Sequence, residues 1–267
     1  MKLRPIAGIV LRQVYLMRGS PVRLFPMVTW VAIDIVLWGF ITRYLNTVSG
    51  SGMDFVPTLL GAVLLWDFFV RVMQGVTTAF FEDVWSRSLL NVFATPMQIP
   101  EYLAGLVLSS IGTSAVALGV MQILAVAVFG ISFFRFGAML LPFLLVLFLF
   151  GIALGIFGSA IVLRFGPAAE WLVWPIPAVL SPFAAVFYPV STLPVWMQGV
   201  SHMLPLGYVF EGVRAIVAGR GVQAGSLAIG ACMAVLYILL AGGFFTHIYR
   251  QAVRTGLIAR YSAESPG

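Results

Sequence analysis

Three ionisable residues lie inside long apolar stretches of the sequence and are the first candidates for chemistry: Asp34, Asp67 and Arg71. A charged side chain is costly in a hydrocarbon environment, so such residues usually face the interior of a protein and pair with one another. Asp67 and Arg71 are four positions apart, which puts them on one face of a helix. Asp34 and Arg71 lie at matching depths in their stretches. We therefore expect an intramembrane polar cluster in which Arg71 joins the two aspartates.

This cluster has two interpretations. It is either a charge-neutralised strut that braces two helices or a contact for the polar headgroup of a substrate. Paired aspartates can also hydrolyse bonds within a membrane, but the sequences around Asp34 and Asp67 contain no recognisable catalytic motif.

The sequence lacks the motifs by which enzymes commonly bind nucleotides or metals. It has no glycine-rich loop ending in Gly-Lys-Ser/Thr and no His-Glu-x-x-His pair for zinc. The two histidines, His202 and His247, are far apart, and the single cysteine, Cys232, excludes an internal disulfide. We therefore expect no catalytic, cofactor-binding or metal-binding residue on this chain.

Composition dictates the elements that position the charged residues. Of 267 residues, 61% are hydrophobic and 9% are charged, whereas soluble domains are about half apolar and about a quarter charged. Six apolar stretches reach the roughly 20 residues needed to cross a membrane: 24–46, 55–81, 102–131, 136–163, 171–190 and 225–248. The predicted fold class is an all-α integral membrane protein with six transmembrane helices, in a single domain over 1–267.

The N-terminal segment 1–22 predicts a basic amphipathic helix on the membrane surface. Its apolar residues share one sector of the helix: Leu3, Ile6, Val10, Val14 and Met17. Ten of the fifteen bases fall on the side of the N-terminus and four on the other side, which predicts that both termini are cytoplasmic and that the chain lies in the inner membrane. Orientation and anionic lipid then explain the net charge of +6, which does not indicate nucleic acid.

The fifth stretch and the segment after it contain helix-breaking residues. Pro175, Pro177, Pro182 and Pro189 fall within fifteen residues, so this span must be kinked or interrupted beside a cavity or a partner subunit. Segment 191–224 has two apolar pieces, neither of which has the roughly 18 uninterrupted residues of a span. It predicts a pair of short re-entrant or interfacial outer helices.

The connection between the second and third stretches predicts a cytosolic amphipathic helix over 82–96, which ends at Pro96. Leu89, Leu90 and Phe93 would be exposed on this helix, and exposed apolar residues indicate a fit to a groove on another protein. Packing of the helix against the chain's own inner surface is the alternative.

Three motifs together resemble a known family. They are Leu-Leu-Asn-Val-Phe-Ala-Thr-Pro over 89–96, Phe-Tyr-Pro-Val-Ser-Thr-Leu-Pro-Val-Trp over 187–196, and Leu-Pro-Leu-Gly-Tyr-Val-Phe-Glu-Gly-Val-Arg over 204–214. With the amphipathic N-terminus and six stretches, they resemble the membrane permease of type-two ABC exporters, a group that includes polysaccharide, teichoic-acid and drug exporters. The resemblance covers essentially the whole chain.

The resemblance implies a permease that dimerises with a second copy or a related permease and binds two copies of a separate ABC ATPase. ATP and magnesium would then bind to the ATPase. Segment 84–99 would be a coupling helix seated in a groove of the ATPase, with these coupling residues: Trp85, Arg87, Leu89, Leu90, Phe93, Thr95 and Pro96. Outer helices over 193–218 would cap the exit, with these outer-gate residues: Pro189, Pro194, Trp196, Pro205, Glu211 and Arg214.

One position departs from the family pattern. Relatives often carry an acidic residue after the Ser-Leu of this loop, where this chain has Leu90-Asn91, so the coupling contact is expected to differ in detail. Glu82, Asp83 and Arg87 are expected to supply charge complementarity to the ATPase instead.

The resemblance predicts the membrane subunit of an ATP-driven exporter, and the apolar, aromatic interior favours an amphipathic, lipid-linked or drug-like cargo. Two alternatives stay open. One is a secondary transporter or channel that uses Asp34, Asp67 and Arg71 as an ion relay, and the other is a membrane-embedded lipid-modifying enzyme. The sequence shows neither an internal repeat, which many secondary transporters have, nor a catalytic motif.

Overall fold

The structure, a computed structural model, describes residues 3–19, 24–49, 55–86, 88–130 and 139–257. These residues form α-helices and short 3-10 turns, with no β-strand among them. In chain order the helices are α1 (Leu3–Gly19), α2 (Leu24–Ser49), α3 (Phe55–Trp85), α4 (Leu89–Phe93), α5 (Ile99–Phe129), α6 (Leu141–Phe165), α7 (Glu170–Val173), α8 (Ile176–Ala184), α9 (Val195–His202), α10 (Pro205–Val217) and α11 (Ala224–Arg254).

Four helices in the described part of the chain are long and apolar enough to cross a membrane. They lie over Leu59–Trp85, Ile99–Phe129, Leu141–Phe165 and Ala224–Arg254, that is, within α3, α5, α6 and α11. They correspond to the second, third, fourth and sixth predicted stretches. The first predicted stretch forms the 26-residue helix α2. The all-α membrane class is therefore confirmed.

The fifth predicted stretch is interrupted, as its prolines led us to expect. Helices α7 and α8 are separated by a turn at Trp174 and Pro175. Helix α8 ends at Ala184 and is followed by Ala185, a non-glycine residue with a left-handed φ of 51°. Together α7 and α8 run about 22 Å at about 1.5 Å per residue, which is less than the roughly 30 Å of a hydrocarbon core.

Helix α6 is the centre of the bundle and packs against both α3 and α11. The most apolar windows of α3 and α6 are each 67% buried, against 22% for α5 and 17% for α11. Two glycines allow the close approach of α6 to α3: a Cβ atom would lie 2.9 Å from Val72 Cβ at Gly151 and 2.6 Å from Val76 Cβ at Gly155. Small residues at helix contacts are typical of membrane bundles.

Helix α1 forms as predicted, but the face that it buries overlaps the predicted apolar sector only in part. Its buried residues are Ile6, Ile9 and Gln13, whereas Leu3 and Val14 of the predicted apolar sector are exposed. The reason is the shape of α5, where Gly105 has no side chain: a Cβ there would lie 2.8 Å from Ile9 Cβ. The exposed apolar residues suit a helix that also contacts the lipid interface.

The bundle has two ends, which we name from the elements at them. The N-terminal face carries α1 and the connection between α3 and α5. The opposite face carries the turn after α8 and the helices α9 and α10. The two helices expected within 191–224 are therefore present, and α10 buries one side in the protein through Leu206, Val209 and Phe210.

Candidate functional site

A cavity of about 950 Å³, which we call the membrane cavity, opens among α1, α2, α3, α5 and the α7–α8 segment. Asp67, Arg71, Gln74 and Thr78 of α3 line it at helical spacing, so they form one polar stripe. Asp34 of α2 lines the facing wall. The three charged residues singled out from the sequence therefore share one cavity.

The charges of the membrane cavity interact across it. Each of Asp34, Asp67 and Arg71 lies within electrostatic reach of the other two. The Arg71 guanidinium donates from Nη1 to Gln74 Oε1 at 3.2 Å. No direct ion pair joins Arg71 to either aspartate among the described residues. The direct pairing predicted between Arg71 and the aspartates is therefore not formed in this structure, because Arg71 binds Gln74 on its own helix.

Tryptophans form much of the apolar wall of the membrane cavity. Trp30, Trp66, Trp85 and Trp174 line it. The Glu170 carboxylate fixes two of them, because it accepts hydrogen bonds from Trp85 Nε1 and Trp174 Nε1, each at 3.0 Å and on separate oxygens. The cavity therefore combines a charged stripe with oriented aromatic rings.

At the N-terminal face, Asp83 joins four parts of the chain; we call this arrangement the Asp83 junction. Its carboxylate pairs with Arg12 of α1, accepts a hydrogen bond from the Tyr102 hydroxyl of α5 at 2.6 Å, and accepts another from the Ser88 hydroxyl at 3.2 Å. Asp83 is 1% exposed. The expectation that Asp83 is free to complement a partner's charge is therefore wrong.

The Asp83 junction was not predicted from the sequence, although one feature of the sequence indicates it. Asp83 lies three positions after Phe80 and seven after Val76, so it falls on the apolar face of α3 rather than on a loop. An acid on such a face requires a partner, and Arg12 belongs to the helix nearest that end.

The predicted helix over 84–99 is much shorter in the structure. Helix α3 continues to Trp85, and α4 covers only Leu89–Phe93. The helix ends where the backbone hydrogen bonds change register: the Ser86 amide donates to the Glu82 carbonyl four residues back, and the Ser88 amide donates to the Asp83 carbonyl five residues back, each at 3.0 Å. Ser86 Oγ also donates to the Glu82 carbonyl at 2.6 Å. Such local hydrogen bonds compete with helix continuation.

Two of the expected coupling residues point inward. Leu89 is 3% exposed, and Phe93 is partly buried with its ring centroid 5.0 Å from that of Tyr102 and 4.6 Å from that of Tyr249. The exposure predicted for them is wrong, because the Phe93 ring packs between α5 and α11 and Leu89 belongs to the buried core. Arg87 lies outside the described residues, as does the side chain of Leu90.

The other expected coupling residues border an open groove of about 960 Å³ at the N-terminal face, which we call the N-terminal groove. The connection between α3 and α5 supplies one wall, with Trp85, Thr95 and Pro96 exposed. Asn91, also exposed, lies beside them. Helix α1 supplies the second wall through Pro5, Gly8 and Arg12.

At the opposite face, Glu211 and Arg214 of α10 hold the turn after α8; we call this pair the outer clamp. Arg214 Nη1 donates to the Ala185 carbonyl at 2.8 Å and the Val186 carbonyl at 3.2 Å, and Nη2 donates to Glu211 Oε1 at 3.0 Å. The same Glu211 oxygen accepts from the Val190 amide at 2.7 Å. The clamp therefore satisfies backbone groups that the broken helix leaves free.

The remaining outer-gate residues lie around the outer clamp. Pro189 precedes a short 3-10 turn, Pro194 precedes α9, and Pro205 begins α10 and is buried. Trp196 is 66% exposed, and its ring makes an edge-to-face contact with the ring of Phe183, with the centroids 6.1 Å apart. The structure brings all six predicted residues to one end of the bundle.

Replacing Arg214 by alanine is expected to loosen the turn after α8. Hydrogen bonds from a charged donor contribute about 1.5–3 kcal/mol each when buried, and the Arg214 side chain is 17% exposed, so we expect a local loss of about 1–2 kcal/mol. Amide hydrogen exchange of residues 185–192 should accelerate about tenfold. Arg220→Ala, an exposed arginine beyond α10, is the matched control; equal exchange in both variants would refute the clamp.

The fold and these sites define a multi-pass helical membrane protein with a polar cavity among its helices and a groove at one face. The sequence profile of the ABC-2 type transporter family matches residues 9–218, most of the chain. The protein therefore belongs to this family and is a permease, the membrane-spanning transport subunit of an ABC transporter, not itself catalytic. Membership implies partnering with an ABC ATPase. No curated protein sequence shows significant similarity to the chain.

Proposed function

We propose that this permease is the membrane subunit of an ATP-driven exporter and forms the translocation path as a dimer. In this proposal α2, α3, α5, α6 and α11 span the inner membrane, the shorter α7–α8 segment and the turn after it make the sixth crossing, and both termini are cytoplasmic. Two copies of a separate ATPase bind ATP and magnesium and contact the N-terminal face. The excess of bases on the side of the N-terminus supports this orientation.

The N-terminal groove is the observation that carries the proposal. It is open, lies beside the connection that resembles the family's coupling helix, and exposes Asn91, Thr95 and Pro96 in its wall. A segment of an ATPase, or the rim of its groove, fits against such a surface. Helix α4 is too short to make the contact with the ATPase by itself. The contact is therefore made by the whole wall of the N-terminal groove rather than by a single helix.

The Asp83 junction supports transmission from that contact to the spans. Asp83 binds the connection through Ser88, α1 through Arg12 and α5 through Tyr102, so a displacement of the groove wall is shared by three elements. Packed elements move as units between discrete arrangements. Closure of the ATPases would therefore move α3 and α5 together, and both line the membrane cavity.

The membrane cavity is the proposed path for cargo. Its tryptophans suit an apolar body and its charged stripe suits a polar group, which agrees with an amphipathic, lipid-linked or drug-like molecule. Transport driven by an ion gradient and independent of any ATPase would support the alternative of a secondary transporter using Asp34, Asp67 and Arg71.

Asn91→Arg and Thr95→Arg test the proposed coupling contact. We expect each variant to retain the ATPase at least about tenfold more weakly on purification, because a new charge at an interface is desolvated or repelled. Copurification of the ATPase and ATP-driven cargo flux in vesicles are the measurements. Gln251→Arg adds the same charge at an exposed position of α11 that does not line the groove. Normal retention and flux in the groove variants would refute the assignment.

A further inference from the structure

The membrane cavity contains more negative than positive charge. Among its described lining residues, Asp34, Asp67 and Glu82 are acidic and Arg71 is basic. Glu82 lies about 16 Å along α3 from Arg71 at about 1.5 Å per residue, so it belongs to the mouth of the cavity. The centre of the cavity therefore has two carboxylates for one guanidinium.

One carboxylate oxygen in this centre has no partner. Asp67 is 8% exposed, and its Oδ2 accepts no hydrogen bond among the described residues. Arg71 donates to Gln74 instead, and its Nε is also without an acceptor there. Buried polar atoms are normally satisfied. A ligand that carries a positive charge would remove the penalty at Asp67.

The aromatic wall beside Asp67 is arranged for the same kind of ligand. Trp66 precedes Asp67 on α3, Trp30 lies on α2, and Glu170 orients Trp174 through a 3.0 Å hydrogen bond. The faces of tryptophan rings attract cations and also contact apolar groups. The volume of about 950 Å³ is at the upper end of the roughly 300–1,000 Å³ typical of small-molecule sites.

We infer that the cargo of this cavity is an amphipathic monocation, whose charge pairs with Asp67 and whose apolar body contacts the tryptophans. With both aspartates ionised beside the bound cation, the excess of one carboxylate at the centre of the cavity matches a single positive charge. An anion of the same size would meet two carboxylates and only one guanidinium, so it is selected against. This inference rests on the proposed function, because a molecule bound in the cavity is cargo only if the protein is an exporter. Binding itself depends on the membrane cavity and not on the N-terminal groove.

Tetraphenylphosphonium and tetraphenylborate test the sign of the charge, because the two ions are nearly equal in size and opposite in charge. Equilibrium binding of each ion is measured on the full chain in nanodiscs of phosphatidylcholine, which has no net charge, without any ATPase. The dipole potential of the lipid favours the borate, so binding to protein-free nanodiscs is subtracted for each ion. In the remainder we expect saturable binding of the phosphonium and none of the borate. Equal or tighter binding of the borate overturns the inference, as does the absence of phosphonium binding.

Variants locate the bound cation. Asp67→Asn is expected to weaken phosphonium binding about tenfold, since a charged hydrogen bond or ion pair is lost, whereas Asp67→Glu retains the charge and most of the affinity. Trp174→Leu is also expected to lower the affinity for the phosphonium, toward the background level. Trp171→Leu is the matched control, because Trp171 is 80% exposed and does not line the cavity.

Thermal unfolding of each variant identifies those that fold. If Asp67→Asn does not fold, Asp34→Asn removes the same charge at a less buried position. Unchanged phosphonium affinity in the folded aspartate and Trp174 variants overturns the inference. Such a result leaves the coupling proposal intact, because retention of the ATPase by the groove is measured separately.

Discussion

Replacing Asp83 by alanine is expected to lower the free energy of unfolding by about 3 kcal/mol and to release α1 from the bundle. Removing one member of a buried ion pair typically costs about 3–5 kcal/mol. The lower value applies because the Arg12 side chain is 32% exposed and keeps part of its hydration. The Tyr102 hydroxyl would lose its acceptor while fully buried, which adds to the loss. Thermal unfolding of the permease in detergent measures the effect.

Two control variants distinguish the loss of the Arg12–Asp83 ion pair from a general loss of stability. Arg4→Ala removes an exposed base from the same helix and should leave stability within about 0.5 kcal/mol. Asp83→Ala combined with Arg12→Ala should destabilise by less than the sum of the two single changes, because both remove one interaction. An additive double variant, or an unfolding temperature for Asp83→Ala equal to that of Arg4→Ala, would show that the junction does not stabilise α1.

The long spans and the shared depth of the central charges could be predicted from the sequence because both depend on local pattern. Continuous apolar runs identified α3, α5, α6 and α11 without any knowledge of their neighbours. The four-residue spacing of Asp67 and Arg71 fixed their common face, and matching depth brought Asp34 to the same cavity. Prolines likewise predicted the interruption between α7 and α8.

The inward and outward faces of short helices could not be predicted in the same way. The packing face of α1 depends on the gap left by Gly105, which lies on another helix. Phe93 turns inward because α5 and α11 leave space for its ring, and Leu89 joins the buried core, whereas the sequence shows only that α4 is apolar. The partner of Asp83 is 71 residues away along the chain, beyond any local pattern.

Replacing Gly155 by alanine is expected to destabilise the protein by about 3 kcal/mol, although alanine favours helices. In an open helix this change stabilises by up to about 1 kcal/mol. At Gly155, however, the new Cβ would lie 2.6 Å from Val76 Cβ and 3.0 Å from the Met73 carbonyl oxygen. The carbonyl belongs to the backbone of α3, so the helices must separate. Overpacking of this kind costs about 1–3 kcal/mol or more.

Gly119→Ala is the matched control for Gly155→Ala, because a Cβ at Gly119 meets no atom within 4 Å. We expect Gly119→Ala to be neutral or stabilising and Gly155→Ala to unfold at a lower temperature with a reduced folded yield on size-exclusion chromatography. Adding Val76→Ala to Gly155→Ala should recover little of the loss, since it removes the Cγ1 atom at 3.1 Å but leaves the Val76 Cβ at 2.6 Å and the Met73 carbonyl oxygen at 3.0 Å. If Gly155→Ala were as stable as Gly119→Ala, the close approach of α6 to α3 would not limit the packing of the bundle. Movement of α3 could then not be expected to carry α6 with it.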